Sequence, residues 1–305
     1  MSTTTFYHTS VLKDEAIVAL NIRPAGVYVD GTFGGGGHSR GILEQLGKDG
    51  RLIAFDQDPD AWRNAPEDKR LTLVRENFRY LKRFLKLYNA LDADGILVDL
   101  GVSSFQFDTA ERGFSTRFDG ELDMRMDTRQ QLMAKDIIRN YDERKLHELF
   151  EQYGEVRNAK TLAQTIVAGR KGKPVNTIAE FKTLIESCIK GNPNRYLAQV
   201  FQALRIEVND ELGVLKLFLE QTADCLKPGG RLCVITFHSL EDRLVKRFLK
   251  TGGFTDEVVT DVFGKSIKTP PFKALKPVLP GSEEQKRNPR SRSARLRIGE
   301  KLAMA

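Results

Sequence analysis

Three aspartates, Asp30, Asp56 and Asp99, each end a short run of mainly apolar residues: Val27-Tyr28-Val29, Leu52-Ile53-Ala54-Phe55 and Ile96-Leu97-Val98. Such runs suit buried parallel strands, which deliver their C-terminal residues to one edge of a sheet. A carboxylate at that edge can accept hydrogen bonds from the hydroxyls or amines of a bound ligand. Three independent surface acids would not end three apolar runs, so the pattern predicts one cleft that collects all three. Directly after Asp30, the segment Gly31 to Gly37 holds five glycines in seven residues. Glycine is needed where the backbone takes a positive φ or lies against a ligand, because it has no Cβ. Ser39 to Leu46 then carries apolar residues at helical spacing. Strand, tight turn and helix in that order form the unit that seats a nucleotide-like cofactor in an open α/β sheet.

The spacing sorts the individual residues. The dinucleotide fingerprint pairs G-x-G-x-x-G with an acid about 20 residues on that holds a ribose. Here the glycine run is denser, and Asp56 ends the second strand, where its carboxylate can accept both ribose hydroxyls. Asp58 precedes Pro59 and reads instead as the N-cap of a helix around Ala61. Phe78 follows the third strand, Leu71 to Val74, at the same edge. An aromatic there either stacks on a flat ring or closes the core, and the spacing does not separate the two. Asp99 ends the fourth strand. His238 follows the fifth, Arg231 to Phe237, and either carries a proton or holds the start of the next helix; Ser239 and Asp242 have capping-box-like spacing. His8 is placed either at the cofactor mouth or as an exposed cap.

These residues need a scaffold, and the chain supplies one. At 305 residues it can bury about three-quarters of its unfolded surface. A helix is expected over Lys13 to Leu20 and another over Tyr80 to Tyr88. From Phe107 the strand–helix alternation stops. Helical patterns follow over Gln131 to Asn140, Asp142 to Tyr153, Asn158 to Gly169 and Thr177 to Ile189, which reads as an inserted helical subdomain. A long helical pattern runs from Asn194 to Cys225. Glu257 to Val262 and Ala294 to Ile298 suit edge strands. The expected division is residues 1–107 with 194–305 for the sheet domain and 108–193 for the insertion.

Composition narrows the class further. Cys188, Cys225 and Cys233 lack metal-ligand spacing and read as core residues, so neither a disulfide framework nor a metal site is expected. No apolar run approaches a membrane span, and a cytoplasmic protein without membrane contact is expected. The net charge is +7. Phe263 to Ile298 alone holds ten Lys and Arg against Glu283 and Glu284, a local surplus larger than that of the whole chain. A positive charge so concentrated is the footprint of a polyanion track, with a solvated loop as the competing reading.

Six segments together resemble one family. They are Asp30-Gly-Thr-Phe-Gly-Gly-Gly-Gly-His-Ser39, Asp99-Leu-Gly-Val-Ser-Ser104, Arg112-Gly-Phe114, Leu122-Asp-Met-Arg-Met-Asp127, Phe201-Gln-Ala-Leu-Arg-Ile206, and Pro228-Gly-Gly-Arg-Leu232 with Phe237-His-Ser-Leu-Glu-Asp242. The family is that of MraW/RsmH-type small-subunit ribosomal RNA cytosine-N4 methyltransferases. The resemblance runs from His8 to the Asn288-Pro-Arg-Ser-Arg292 tail. It implies a class I, Rossmann-like S-adenosylmethionine-dependent methyltransferase sheet with an inserted all-helical subdomain. It implies methylation of a cytidine in the decoding region of small-subunit ribosomal RNA, free or in the assembled subunit, and no DNA partner. By motif, cofactor contacts fall on Gly36, Gly37, His38, Asp56, Phe78, Asp99 and Gln106. Where relatives often read His-Pro-Ala-Thr-Arg, this chain has Asn192-Pro193-Asn194-Arg195-Tyr196.

Asp99, at a strand tip, is the candidate catalytic residue. An acceptor holding one hydrogen of the cytosine amine would draw its nitrogen toward tetrahedral geometry. Phe105 and Phe107 are candidate stacking partners for an unstacked base. Two other readings share the pattern: an NAD-dependent oxidoreductase on the same sheet, and a non-catalytic RNA-binding ribosome assembly factor.

Overall fold

The computed structural model describes residues 10–255 and 270–303. In chain order it contains α1 (Lys13–Leu20), β1 (Val27–Asp30), α2 (Gly37–Gln45), β2 (Arg51–Phe55), β3 (Leu71–Val74), α3 (Leu81–Leu87) and β4 (Ala93–Asp99). Five helices follow: α4 (Ser104–Asp108), α5 (Ala134–Asn140), α6 (Glu143–Gln152), α7 (Ala159–Gly169) and α8 (Ile178–Ile185). The remainder is α9 (Pro193–Asn209), α10 (Glu211–Cys225), β5 (Leu226–Thr236), α11 (Ser239–Thr251), β6 (Phe272–Ala274), α12 (Ser282–Arg287) and β7 (Arg295–Lys301). Two compact units emerge, one of residues 1–101 with 213–305 and one of residues 102–212.

The first unit carries a seven-stranded sheet of order β3-β2-β1-β4-β5-β7-β6. Strands β1 to β5 pair in parallel. The chain lays β2 and β3 on one side of β1 and β4 on the other, so the order reverses at β1. Such a reversal opens a crevice beyond the strand ends, where ligands bind in α/β sheets. Alternate side chains serve the two faces. Val29, Ile53, Ile96, Val98, Leu232 and Val234 pack with Leu81, Phe218 and Phe248. Tyr28, Leu52, Leu97, Cys233 and Ile235 pack with Ala16, Leu20 and Ile42. Ile96, Leu97 and Val98 of β4 are wholly buried, each worth roughly 1.5–3 kcal/mol of burial. That is why this strand reads as a continuous apolar run.

The structure corrects the sequence reading at several points. β7 is no edge strand: it lies antiparallel between β5 and β6. Its alternating polar residues misled the reading. Arg297 and Arg295 bond the Asp242 carboxylate of α11, at 2.8 Å and 3.2 Å, and Arg297 is largely covered. The helix expected around Ala61 is one short 3-10 turn, Ala61–Asn64. The long pattern from Asn194 breaks at Asp210, whose φ of 49° ends α9. Apolar periodicity continues across the break, so the sequence conceals it. The capping box of α11 sits one residue earlier than read: Glu241 Oε2 accepts the Phe237 N–H at 2.8 Å, and His238 occupies the N-cap.

The second unit is helical. Ile137, Leu146, Phe150, Leu162, Ile166, Phe181, Val200, Phe201 and Leu204 form its core. Side-chain caps fix the helix starts: Asp142 accepts the Lys145 N–H before α6, and Thr177 with Glu180 closes a capping box on α8. Asn192 caps α9, with Pro193 at its first position. The unit begins at Val102 and ends at Leu212, whereas the sequence set 108 and 193 as its limits. α9 belongs to it because Val200, Phe201 and Leu204 are buried in the helical core. No helix among the described residues is long and apolar enough to cross a membrane.

Candidate active site

The glycine turn is tied to both strands that flank β1. On one side the Phe33 N–H donates to the Phe55 carbonyl at 2.8 Å, and the Gly34 N–H donates to Asp56 Oδ2 at 2.7 Å. On the other, the Gly31 N–H donates to the Leu97 carbonyl at 2.7 Å, and the Asp99 N–H donates to Thr32 Oγ1 at 2.6 Å. One short segment therefore spans from the tip of β2 to the tip of β4, and Asp56 and Asp99 border the same gap. Asp30 holds the turn from beneath. It is wholly buried, and it accepts the Thr32 N–H at 3.0 Å and the Ser39 hydroxyl at 2.7 Å. Of the three strand-end acids it is scaffold, not a ligand contact.

The glycines divide by role. Gly36 has a φ of 75°, and a Cβ there would lie 2.9 Å from the Phe33 ring. A Cβ on Gly37 would overlap the Ser10 hydroxyl. Both positions answer to the fold. A Cβ on Gly35 would meet nothing within 4 Å, so this backbone faces open space and a ligand can approach it closely. Arg40 and Asn64 brace the loop by donating to the Gly35 carbonyl at 2.7 Å and the Gly34 carbonyl at 3.2 Å.

Asp56 accepts the Gly34 N–H on Oδ2 and the Asp58 N–H on Oδ1, the latter at 2.8 Å. Each oxygen keeps a second lone pair for a donor such as a ribose hydroxyl. Burial pushes its carboxyl up to about 7 against the opposing pull of those two N–H groups. Asp58 caps no helix; its Oδ1 closes a tight turn onto the Asp60 N–H at 3.1 Å. Phe78 sits just past β3, half-buried, edge-on to Phe218 with ring centroids 5.2 Å apart. Phe78 thus packs on the core and keeps part of its surface exposed.

Asp99 retains about a quarter of its side-chain exposure. Its Oδ1 is buried and has no hydrogen-bond partner. Burial holds its carboxyl well above the usual range, and the neighbouring carboxylates of Asp30, Glu241 and Glu284 add to the effect. His38, in the first turn of α2, turns its imidazole inward: Nε2 lies 3.0 Å from the Val11 carbonyl and Nδ1 3.7 Å from Asp99 Oδ2. Burial pushes the imidazole below its ordinary value, against the pull of Asp30.

Gln106 belongs to the helical unit, where it and Ser103 form the capping box of α4. Phe105 is exposed, and Phe107 packs against the helical core with Arg117 over its ring. His238 serves the start of α11, its Nε2 3.1 Å from Glu241 Oε1. In the basic segment Lys273, Lys276, Lys286, Arg287 and Arg292 are exposed. His8, the strand expected over Glu257 to Val262, Lys265 and Lys268 lie outside the described residues. Sequence reasoning passed over Thr32 and Glu284. Thr32 offered one signal, a lone hydroxyl within the glycine run. Glu284, which accepts the Leu12 N–H at 2.8 Å from 272 residues away, offered none.

A profile of the MraW methylase family matches residues 5–302 of this chain. Among similar curated proteins, the ribosomal RNA small subunit methyltransferase H of Flavobacterium johnsoniae is 52% identical over 304 residues, covering 99% of this chain and 100% of that protein. Its counterpart in Parabacteroides distasonis is 53% identical over 300 residues, covering 97% and 98%. That of Cytophaga hutchinsonii is 53% identical over 299 residues, covering 97% and 99%.

Proposed function

Because the chain belongs to the MraW methylase family, we propose that it transfers a methyl group from S-adenosylmethionine to the exocyclic N4 of a cytidine in the decoding region of small-subunit ribosomal RNA. One observation supports the reading: a single glycine turn is bonded to Asp56 through Gly34 and to the Asp99 backbone through Thr32, so both acids border it. The residues present fit the cofactor. Asp56 keeps lone pairs for a ribose diol, Phe78 offers a ring edge, and Gly35 leaves room for a closely seated chain. Gly36, Gly37 and His38 would border it from the turn, and Gln106 is assigned to it by motif.

S-adenosylmethionine supplies an electrophilic methyl group on a sulfonium, so the protein's work is chiefly positioning. The cytosine amine is a weak nucleophile because its lone pair is delocalised into the ring. Asp99, about a quarter exposed at the tip of β4, accepts one amine hydrogen and turns the nitrogen lone pair toward the methyl carbon. The base must leave its stack to reach that point. The helical unit and the exposed lysines and arginines between Lys273 and Arg292 serve recognition of ribosomal RNA in the cytoplasm, with no DNA or membrane partner.

The test is transfer of labelled methyl groups to small subunits that lack the modification, alongside calorimetric titration with S-adenosylmethionine and with NAD. The expected result is S-adenosylmethionine binding and label on one cytidine N4. Binding of NAD instead would favour an oxidoreductase, and cofactor binding without transfer would favour an assembly factor. Full transfer and unchanged cofactor affinity in Asp99→Ala would remove Asp99 from the mechanism.

A further inference from the structure

The helical unit carries an open groove of about 310 Å³, lined by Tyr141, Leu149, Tyr153 and Glu207 among others. Its parts are held in place from below. Arg170 donates to the Tyr141 carbonyl at 2.6 Å, just before α6, and Gln202 of α9 donates to the Tyr153 carbonyl at 2.9 Å, just after it. Both tyrosines rest on the helical core, and Leu149 of α6 gives the groove a buried apolar wall. Glu207, half-buried on α9, brings its carboxylate to the same groove, where Oε1 accepts the Tyr141 hydroxyl at 2.7 Å. Burial and that bond hold the Tyr141 phenol above its ordinary value, so it remains the donor. A carboxylate offers about four lone-pair sites, and Tyr141 takes one of them.

We propose that this groove holds an unpaired guanine of the RNA substrate, with Glu207 reading the Watson–Crick edge and the tyrosines stacking on the ring. The proposal rests on the RNA-substrate reading above. Unpaired bases are recognised by stacking on aromatic side chains and by hydrogen bonds to their exposed edges. Stacking tolerates every base, so the acid carries the choice. Guanine presents N1–H and N2–H side by side, two donors that match the two oxygens of one carboxylate. Adenine and cytosine set a ring-nitrogen acceptor beside the amine, and uracil flanks its single N–H with two carbonyls. Each of these turns a lone pair toward Glu207. An arginine side chain of a protein would also match a carboxylate between aromatic rings. The place of that cation is already taken: the Lys145 ammonium lies 5.6 Å from the centre of the Tyr141 ring. It repels a second cation and suits the phosphate that comes with a nucleotide. Glu148, also on the groove, is paired with Arg144 at 2.9 Å and so adds little repulsion toward that phosphate.

The test is fluorescence anisotropy of the full-length protein with oligouridine heptamers whose central residue is guanosine, inosine, adenosine, cytidine or uridine. Inosine keeps N1–H but lacks the N2 amine, so it removes one hydrogen bond to a charged acceptor. The guanosine heptamer should bind wild type about tenfold or more tighter than the inosine heptamer, and tighter still than the other three. Glu207→Gln keeps an acceptor for the Tyr141 hydroxyl but replaces one oxygen by a donor. In this variant the guanosine advantage should fall about tenfold, while affinity for the all-uridine heptamer and for S-adenosylmethionine stays within about twofold. Equal binding of the guanosine and inosine heptamers to wild type, or an advantage that survives in Glu207→Gln, would overturn the proposal. So would displacement of the guanosine heptamer from wild type, but not from Glu207→Gln, by an arginine-containing peptide. Should Glu207→Gln fail to fold, the wild-type comparison of guanosine with inosine decides alone. Methyl transfer without a guanine preference overturns this proposal and leaves the reaction standing, whereas a guanine preference without transfer supports it and removes the reaction.

Discussion

The Asp56 carboxyl makes cofactor affinity depend on pH, and the size of the effect follows from its surroundings. Burial raises it to about 7, although the Gly34 and Asp58 N–H groups each bond one of its oxygens. At pH 6 only about a tenth of the free protein is ionised there, and at pH 8 about nine-tenths. A hydroxyl bonded to a charged carboxylate gains about 1.5–3 kcal/mol, roughly twice the gain from a neutral acceptor. The ionised form therefore binds the ribose diol, and S-adenosylmethionine affinity should rise about tenfold from pH 6 to pH 8, or about 1.4 kcal/mol. Because the folded pKa lies above the unfolded value of about 3.9, the stability this group contributes is fully present below about pH 4. It is lost as the pH rises through about 7, and ligand that binds the ionised form compensates for the loss. Isothermal titration calorimetry at half-unit intervals, in two buffers of different ionisation enthalpy, reads both the affinity and the proton released. In Asp56→Asn the slope should vanish and affinity at pH 8 should fall. A flat wild-type Kd across this range, or the same slope in Asp56→Asn, would refute the assignment of the ribose to this carboxylate.

Two further outcomes follow from the same geometry. Gly35→Ala should leave the melting temperature unchanged, since its Cβ meets nothing within 4 Å, yet weaken S-adenosylmethionine binding about tenfold, or about 1.4 kcal/mol, by occupying the cofactor's approach. Gly37→Ala should instead destabilise the fold by about 1–3 kcal/mol through overlap with the Ser10 hydroxyl, read by chemical denaturation; equal effects at the two glycines would contradict the division of roles. Replacing the exposed Lys276, Arg287 and Arg292 by Ser should flatten the salt dependence of RNA binding, by about 0.7–0.9 in log–log slope for every phosphate that the protein ceases to neutralise. An unchanged slope would remove this segment from the interface.

Much of the scaffold was legible because it is written in local terms. Val27 to Asp30, Leu71 to Val74 and Lys13 to Leu20 form where their periodicity places them. An apolar run that ends in an acid before a glycine turn states its own strand, tip and turn. From those runs alone the neighbouring positions of Asp56 and Asp99 could be expected, since parallel strands share one C-terminal edge. Misreadings arose where polar residues found partners far away in sequence. Arg295 and Arg297 alternate as an edge strand would, but Asp242 receives them, so β7 lies inside the sheet. Asp210 ends a helix in the middle of an unbroken apolar period.

The sequence by itself determined the strand-ending acids, the bare turn and the helical insertion, because propensity and hydrophobic period act over a few neighbouring residues. Only the tertiary structure decided which acid faces a ligand and which is scaffold. Asp30 is consumed by Thr32 and Ser39, while Asp99 keeps one buried oxygen without a partner, His38 beside the other, and about a quarter of its side chain exposed. Those assignments depend on which groups the packed backbone brings within about 3 Å of each carboxylate, and spacing along the chain carries no record of them.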